Sequence, residues 1–294
     1  MAATPAAHES EGLAVRSDTR RGAASLAYSR TGTGEPLILL HGQGNSRRTW
    51  NPVIPLLAAE RDVIAVDLPG HGDSSLRPNG HGDTPAEIAL AVADLLDELA
   101  LDSAHIAGNS LGGWVALELG RLHRARTVTA VSPAGLWRRS APVYIRVAMR
   151  QARISSRVVH RLAPNAPRTR LVKALFLVQA SGHPTKVPYD VALAAVRDMA
   201  ITPGFRETLR GLEQRSFRDG AAIDVPVTVA FGTRDRVLLP PLARRRDELP
   251  TQSRWVKLAG CGHIPMFDDP AAVATLLLES SEPATAAILG EATG

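Results

Sequence analysis

The feature that most constrains this chain is a series of short, nearly continuous apolar runs separated by longer segments of helical periodicity. The runs are "PLILLH" (36–41), "DVIAVD" (62–67), "SAHIAG" (103–108), "TVTAVS" (127–132), "VPVTVAFG" (225–232) and "RWVKLAG" (254–260). Strands with one wet face alternate apolar and polar residues. Runs without alternation fit strands buried on both faces, as in a parallel sheet covered by helices. Between the second and third runs, "TPAEIALAVADLLDELA" carries a full set of helix signals. Thr84 is the N-cap, Pro85 takes the first helical position, Glu87 closes a capping box, and Ile88, Val92, Leu95, Leu96 and Leu99 form one apolar stripe. Strands alternating with helices predict a doubly wound, mostly parallel α/β sheet. At 294 residues and 45% hydrophobic content the chain can bury a large core.

The alternation lapses over residues 134–211, which read as helices only. The expectation is a helical cap inserted into a core made of residues 1–133 and 212–280, with 281–294 as a disordered tail of small and polar residues. The start, "MAATPAAHESEG", lacks the basic and apolar regions of a secretory signal, and no apolar stretch reaches bilayer-spanning length. The single cysteine, Cys261, can form no internal disulfide. The chain therefore reads as soluble and cytoplasmic.

Net charge is +5, but the charge is uneven: no acidic residue lies between Glu118 and Asp190. Within "VYIRVAMRQARISSRVVHRL", Arg146, Arg150, Arg153, Arg157 and Arg161 recur every three or four residues and share one helical stripe. Val143, Val147, Ile154 and Val158 flank it. The plainer expectation is a solvated basic outer face over an apolar inner face that sets substrate choice. The sharper one is that the stripe attracts an anionic surface, a phosphorylated acyl carrier or a carboxylated substrate. Nucleic acid is disfavoured, because aromatic content is 4% and no binding motif accompanies the charge. Oligomeric state is not legible.

The chemistry centres on "HIAGNSLGGW" (105–114). Ser110 follows a predicted strand and precedes the helical run "LGGWVALELGRL", with Gly108 and Gly112 two residues to either side. A sharp strand-to-helix turn needs small residues at those places and lifts the serine hydroxyl above the strand ends. A serine N-cap in a glycine-rich turn would look the same, so partners must decide. A serine nucleophile needs a base, and the base needs an acid to hold its tautomer. Asp235 lies just past the strand "VPVTVAFG" and His263 just past "RWVKLAG". All three candidates thus sit at carboxyl ends of strands, where open α/β sheets gather ligands. Acyl transfer also needs amide donors for the oxyanion. The backbone N–H groups of Leu111, next to the serine, and of Gln43, in the loop "HGQGNSRRTW", are the candidates.

Competing readings remain in view. Asp67 ends a strand but looks set to fix its own turn. Asp268 and Asp269 resemble an N-cap before Pro270. Cys261 reads as a small buried residue. Gly42 and Gly44 begin a dinucleotide-type fingerprint, yet Arg47 stands where its third glycine belongs. No metal-ligand cluster is apparent, and the chemistry requires no cofactor.

Taken in order, "LLHGQGNSRRTW", "VIAVDLPGHGDSS", "HIAGNSLGGWVAL", "VAFGTRDRVLLP" and "LAGCGHIPMFDDP" resemble the α/β-hydrolase superfamily, in its serine-nucleophile, capped, esterase- and lipase-like branch. The resemblance runs from about Ala27 to Leu278, outside the insertion. It implies Ser110 as nucleophile, His263 as base, Asp235 as orienting acid, and Gln43 and Leu111 as oxyanion donors. Dehalogenases and epoxide hydrolases of this fold carry aspartate at the position of Ser110. The function implied is hydrolysis of a carboxylic ester, thioester or lactone of a small-molecule acyl substrate. The alternatives are an acyltransferase or carbon–carbon hydrolase with the same triad, and a non-catalytic ligand receptor on the same scaffold.

Overall fold

The structure, a computed structural model, describes residues 26–76, 83–163 and 165–282. The expected tail lies outside the described residues from 283 onward. Seven strands are formed: β1 (Tyr28–Thr31), β2 (Glu35–Leu40), β3 (Arg61–Val66), β4 (Ala104–Asn109), β5 (Ala125–Val131), β6 (Val227–Gly232) and β7 (Arg254–Leu258). They make one sheet in the order β1-β3-β2-β4-β5-β6-β7. Every pairing is parallel except β1 with β3. The six apolar runs all become strands, shifted by a residue or two at their ends. The strand that the sequence pattern misses is β1, a half-exposed edge with no apolar run to mark it.

The helices are α1 (Ile54–Leu57), α2 (Pro85–Glu98), α3 (Leu111–Arg121), α4 (Val143–Leu162), α5 (Arg170–Leu177), α6 (Tyr189–Ile201), α7 (Phe205–Glu213) and α8 (Pro270–Ser280). The start of α2 is the capping box read from the sequence: Glu87 N–H donates to Thr84 Oγ1, and Thr84 N–H to the Glu87 carboxylate. Both sheet faces are buried, which explains the unbroken apolar runs. Ile38 and Leu40 of β2 pack with α2 and α3, while Leu37 and Leu39 pack with α1 and α8. No helix among the described residues is long and apolar enough to cross a membrane.

Helices α4 to α7 all fall between β5 and β6 and close over the carboxyl end of the sheet. Here α4 departs from expectation. Its arginines divide, with Arg150, Arg157 and Arg161 exposed but Arg153 buried, and its main aliphatic stripe does not face inward. Arg153 is only 8% exposed, whereas Val143 is 63% and Ile154 64% exposed. The reason lies at the end of α6, whose last carbonyls have no partner within the helix. Arg153 donates to the carbonyls of Met199 and Thr202, and Arg157 reaches that of Ala200. The negative end of the helix favours these cations. Arg153 also lies 4.9 Å from the centre of the Phe205 ring, and Arg150 pairs with Glu213 at 2.7 Å. A different sector of α4, with Ile145, Met149, Ala152 and Ser156, faces the cavity below.

This arrangement predicts unequal effects from adjacent residues. Arg153→Ala should lower the unfolding free energy by about 2–3 kcal/mol, since it orphans buried carbonyls bonded to a charged donor. Ile154→Ala should change it by about 0.5 kcal/mol or less. Urea unfolding of the two variants measures both.

Candidate active site

Ser110 occupies the turn from β4 into α3 at φ 56°, ψ −112°. A non-glycine residue there is disfavoured by about 1–3 kcal/mol and persists only where its surroundings hold it. The surroundings are backbone. Ser110 N–H donates to Val131 O at 2.9 Å, and Gly112 N–H to His41 O at 3.1 Å. A Cβ at Gly108 would lie 2.0 Å from Gly112 O, and one at Gly112 would lie 2.3 Å from Leu40 O. Both glycines are therefore needed for the turn to close, which is the arrangement read from the sequence.

Asp235 and His263 stand on the loops after β6 and β7. His263 Nδ1 donates to Asp235 Oδ2 at 3.0 Å. Asp235 Oδ1 accepts the amides of Val237 (2.8 Å) and Leu238 (3.0 Å), so the carboxylate cannot rotate freely. Burial alone would raise this carboxyl. The charge and hydrogen bond of His263, with the two amides, outweigh it and hold Asp235 below the usual carboxylate range. His263 and Ser110 line one cavity of about 100 Å³, together with Gln43. No hydrogen bond joins Ser110 to His263 among the described residues. Leu111 is fully buried as the first residue of α3, directly after the serine.

The remaining cavity wall is mostly apolar, including Trp137, Met149, Phe176, Val196, Leu209 and Leu238, with Asn45, Asn109, Ser156 and Gln179 as uncharged polar side chains. Among the described residues, His263 is the one titratable side chain lining it.

The rivals are occupied elsewhere. Asp67 accepts the amides of Arg47 and Asp73 and pairs with the Arg47 guanidinium, so it fixes its own loop. That use of Arg47 also accounts for the broken glycine fingerprint. Cys261 is buried, and burial raises its thiol to about 11. Asp269 is the N-cap of α8, accepting from Ala272 N–H at 2.9 Å. Asp268 is not part of that cap. It accepts from Gly262 N–H (2.7 Å), Gly182 N–H (2.8 Å), His183 N–H (3.0 Å) and Ser181 Oγ (2.6 Å), tying the histidine loop to the segment after α5.

The roles of Asn109 and Ser46, and that of the Gln43 side chain as distinct from its amide, escape sequence reasoning. Asn109 donates through Nδ2 to Val131 O (3.2 Å) and His263 O (3.0 Å), clamping the histidine loop to the serine turn. The Gln43 side chain donates to Phe205 O and accepts from Thr208 Oγ1, both at 2.8 Å. Ser46 bonds the buried Asp198 of α6. The last two fasten the candidate oxyanion loop to the helices above it. Their partners lie more than 150 positions away, so no local pattern marks them.

Residues 37–276 match the Alpha/beta hydrolase family. The chain belongs to that family. It is 36% identical over 198 residues, 65% of its length and 92% of the relative's, to epoxide hydrolase EphH of Mycobacterium tuberculosis. Similar solved structures include the enol-lactonase from Burkholderia xenovorans LB400, with TM-score 0.68, 21% identity and coverage of 87% of this chain and 96% of that one. Carboxylesterase CesB from Bacillus subtilis gives 0.69 and 20%, covering 91% and 92%. At such identities the two structures bear on fold alone.

This hydrolase holds two further histidines beside the site, and both are locked. His41 donates Nδ1–H to Gly42 O and accepts Leu68 N–H at Nε2. His71 donates Nδ1–H to Pro69 O, and its Nε2 is buried without a partner. Burial pushes His41 down to about 4, helped by Arg47 and Arg48, and His71 down to about 3, helped by His41. In an unfolded chain both would titrate near 6.5. The unfolded state therefore takes up protons first as pH falls. Their contribution to stability is complete above about pH 6.5 and is lost on acidification until the folded values are reached. Between about pH 6 and 4.5 the pair should remove about 2–3 kcal/mol per pH unit. Denaturant unfolding across pH measures the slope, and His71→Phe should make it shallower by about one proton.

Proposed function

We propose that this hydrolase cleaves a neutral carboxylic ester, thioester or lactone with an apolar acyl group, through an acyl-enzyme on Ser110. The reading is carried by the buried His263–Asp235 pair opening onto the cavity that also holds Ser110. In this mechanism Ser110 Oγ attacks the carbonyl carbon and its proton passes to His263 Nε2. Asp235 keeps Nδ1 protonated and stabilises the imidazolium. The amides of Leu111 and Gln43 receive the oxyanion. The leaving alcohol, thiol or ring oxygen takes the proton from His263. Water, deprotonated by the same histidine, then releases the acid and restores the serine.

The nucleophile weighs against epoxide opening, the reaction in the name of the relative EphH. A carboxylate that opens an epoxide forms an ester, which water can cleave. A serine hydroxyl would form an ether, with no carbonyl for water to attack, and turnover would stop at one event. The apolar cavity lining favours an uncharged acyl group, because an ionised one would enter without a counter-charge. It therefore weighs against the carboxylated substrate considered for the arginine stripe.

Labelling with a fluorophosphonate probe, then a panel of p-nitrophenyl esters of rising chain length, tests the reading. Ser110→Ala should lose labelling and reduce turnover by on the order of a million-fold while leaving unfolding nearly unchanged. Asp235→Asn should reduce kcat by roughly ten-thousand-fold with little change in KM, because the amide favours the wrong imidazole tautomer. Full turnover in Ser110→Ala would overturn the proposal. Absence of turnover on every ester, despite binding, would favour a receptor. A product carrying the acyl group on an added alcohol or thiol in preference to water would favour an acyltransferase.

A further inference from the structure

The outward face of α4 is apolar where a soluble surface would be polar. Val143, Val147, Ile154, Val158 and Leu162 recur at four- and seven-residue spacings, and all five are between 51% and 80% exposed. On the neighbouring α5, Leu171 and Leu175, one turn apart, are 70% and 64% exposed. Single exposed aliphatic residues are ordinary, but a stripe along a 20-residue helix of about 30 Å is not.

The charge around this face is predominantly positive. Arg157, Arg161, Arg168 and Arg170 are exposed at its edge and form no ion pair among the described residues. Beside Ile154 a groove opens between α4 and α7, lined by Arg150, Arg157, Arg206 and Arg210, with Glu207 its one acid. The chain has no acidic residue between Glu118 and Asp190, so neither α4 nor α5 carries a negative charge.

We propose that the outer face of α4, with the exposed leucines of α5, docks the protein on an anionic lipid bilayer. An apolar stripe beside a cationic flank is the pattern of a helix lying in the membrane interface. The aliphatic side chains enter the acyl boundary and the arginines meet the headgroups. A second copy of this chain fits the face less well. A two-fold contact centred there would set each cationic flank against its own duplicate, with no acid on either helix to relieve it. The opposite sector of the same helix, including Ile145 and Met149, walls the cavity over Ser110. Docking would place that cavity beside a phase in which neutral apolar esters dissolve. The docking surface stands whether or not Ser110 cleaves an ester.

The test is co-sedimentation of the full chain with vesicles of phosphatidylcholine alone, and of phosphatidylcholine mixed with phosphatidylglycerol, at low and high salt. The wild type should partition onto the mixed vesicles and detach as salt rises. The double variant Ile154→Asn with Val158→Asn should bind at least about tenfold more weakly, through lost apolar burial. Arg161→Gln with Arg170→Gln should bind weaker on the order of tenfold and lose the preference for anionic lipid. None of these side chains lines the cavity, so hydrolysis of a soluble ester and the thermal unfolding midpoint should not change. The proposal fails if the wild type stays in the supernatant, if it binds both vesicle types equally, or if either double variant binds as well as the wild type. It also fails if sedimentation velocity finds a wild-type dimer that Ile154→Asn with Val158→Asn splits, which would assign the face to a second copy.

Discussion

A parallel sheet with helices on both faces has no open surface left for chemistry except the loops beyond its strand ends. In this protein α2 and α3 take one face and α1 and α8 the other. Ser110, Asp235 and His263 all emerge from loops at the carboxyl ends of β4, β6 and β7. The serine turn is the tightest of these. It closes because Gly108 and Gly112 have no Cβ to meet backbone atoms that would lie 2.0 and 2.3 Å away. The same close packing holds Ser110 in a conformation it would otherwise leave. Strain at Ser110 and density in the core are therefore one fact seen from two sides.

The site is also fastened from above. Gln43 bonds α7, Ser46 bonds α6, and Asp268 bonds the segment after α5. The candidate oxyanion loop and the histidine loop thus each share a hydrogen-bond network with the helices that roof the cavity. A shift of those helices would be felt at the amide of Gln43 and at the backbone of His263, because buried polar groups do not give up partners cheaply. His41 and His71, buried outside the cavity lining and held neutral, offer no competing base.

The amino-acid sequence determined six of the seven strands, the capping box of α2, the serine turn, and which acid and which histidine sit at neighbouring strand ends. Those features rest on local rules: period, cap chemistry, the room a glycine leaves, and chain order in a doubly wound sheet. It was also enough to set Cys261 aside and to assign Asp67 to its own loop. It could not separate Asp268 from Asp269, because two adjacent acids before a proline read as one cap until the segment around Gly182 arrives to bond the first. Only the tertiary structure decided how α4 is turned. Its sequence has three sectors, aliphatic, arginine-rich and cavity-facing, and periodicity names the sectors without saying which one points inward. The orphan carbonyls at the end of α6 settled that by drawing Arg153 and Arg157 toward them, and the aliphatic sector was left outside. The partners of an arginine are set by three-dimensional neighbours, and those carbonyls are more than 40 positions from it in the chain.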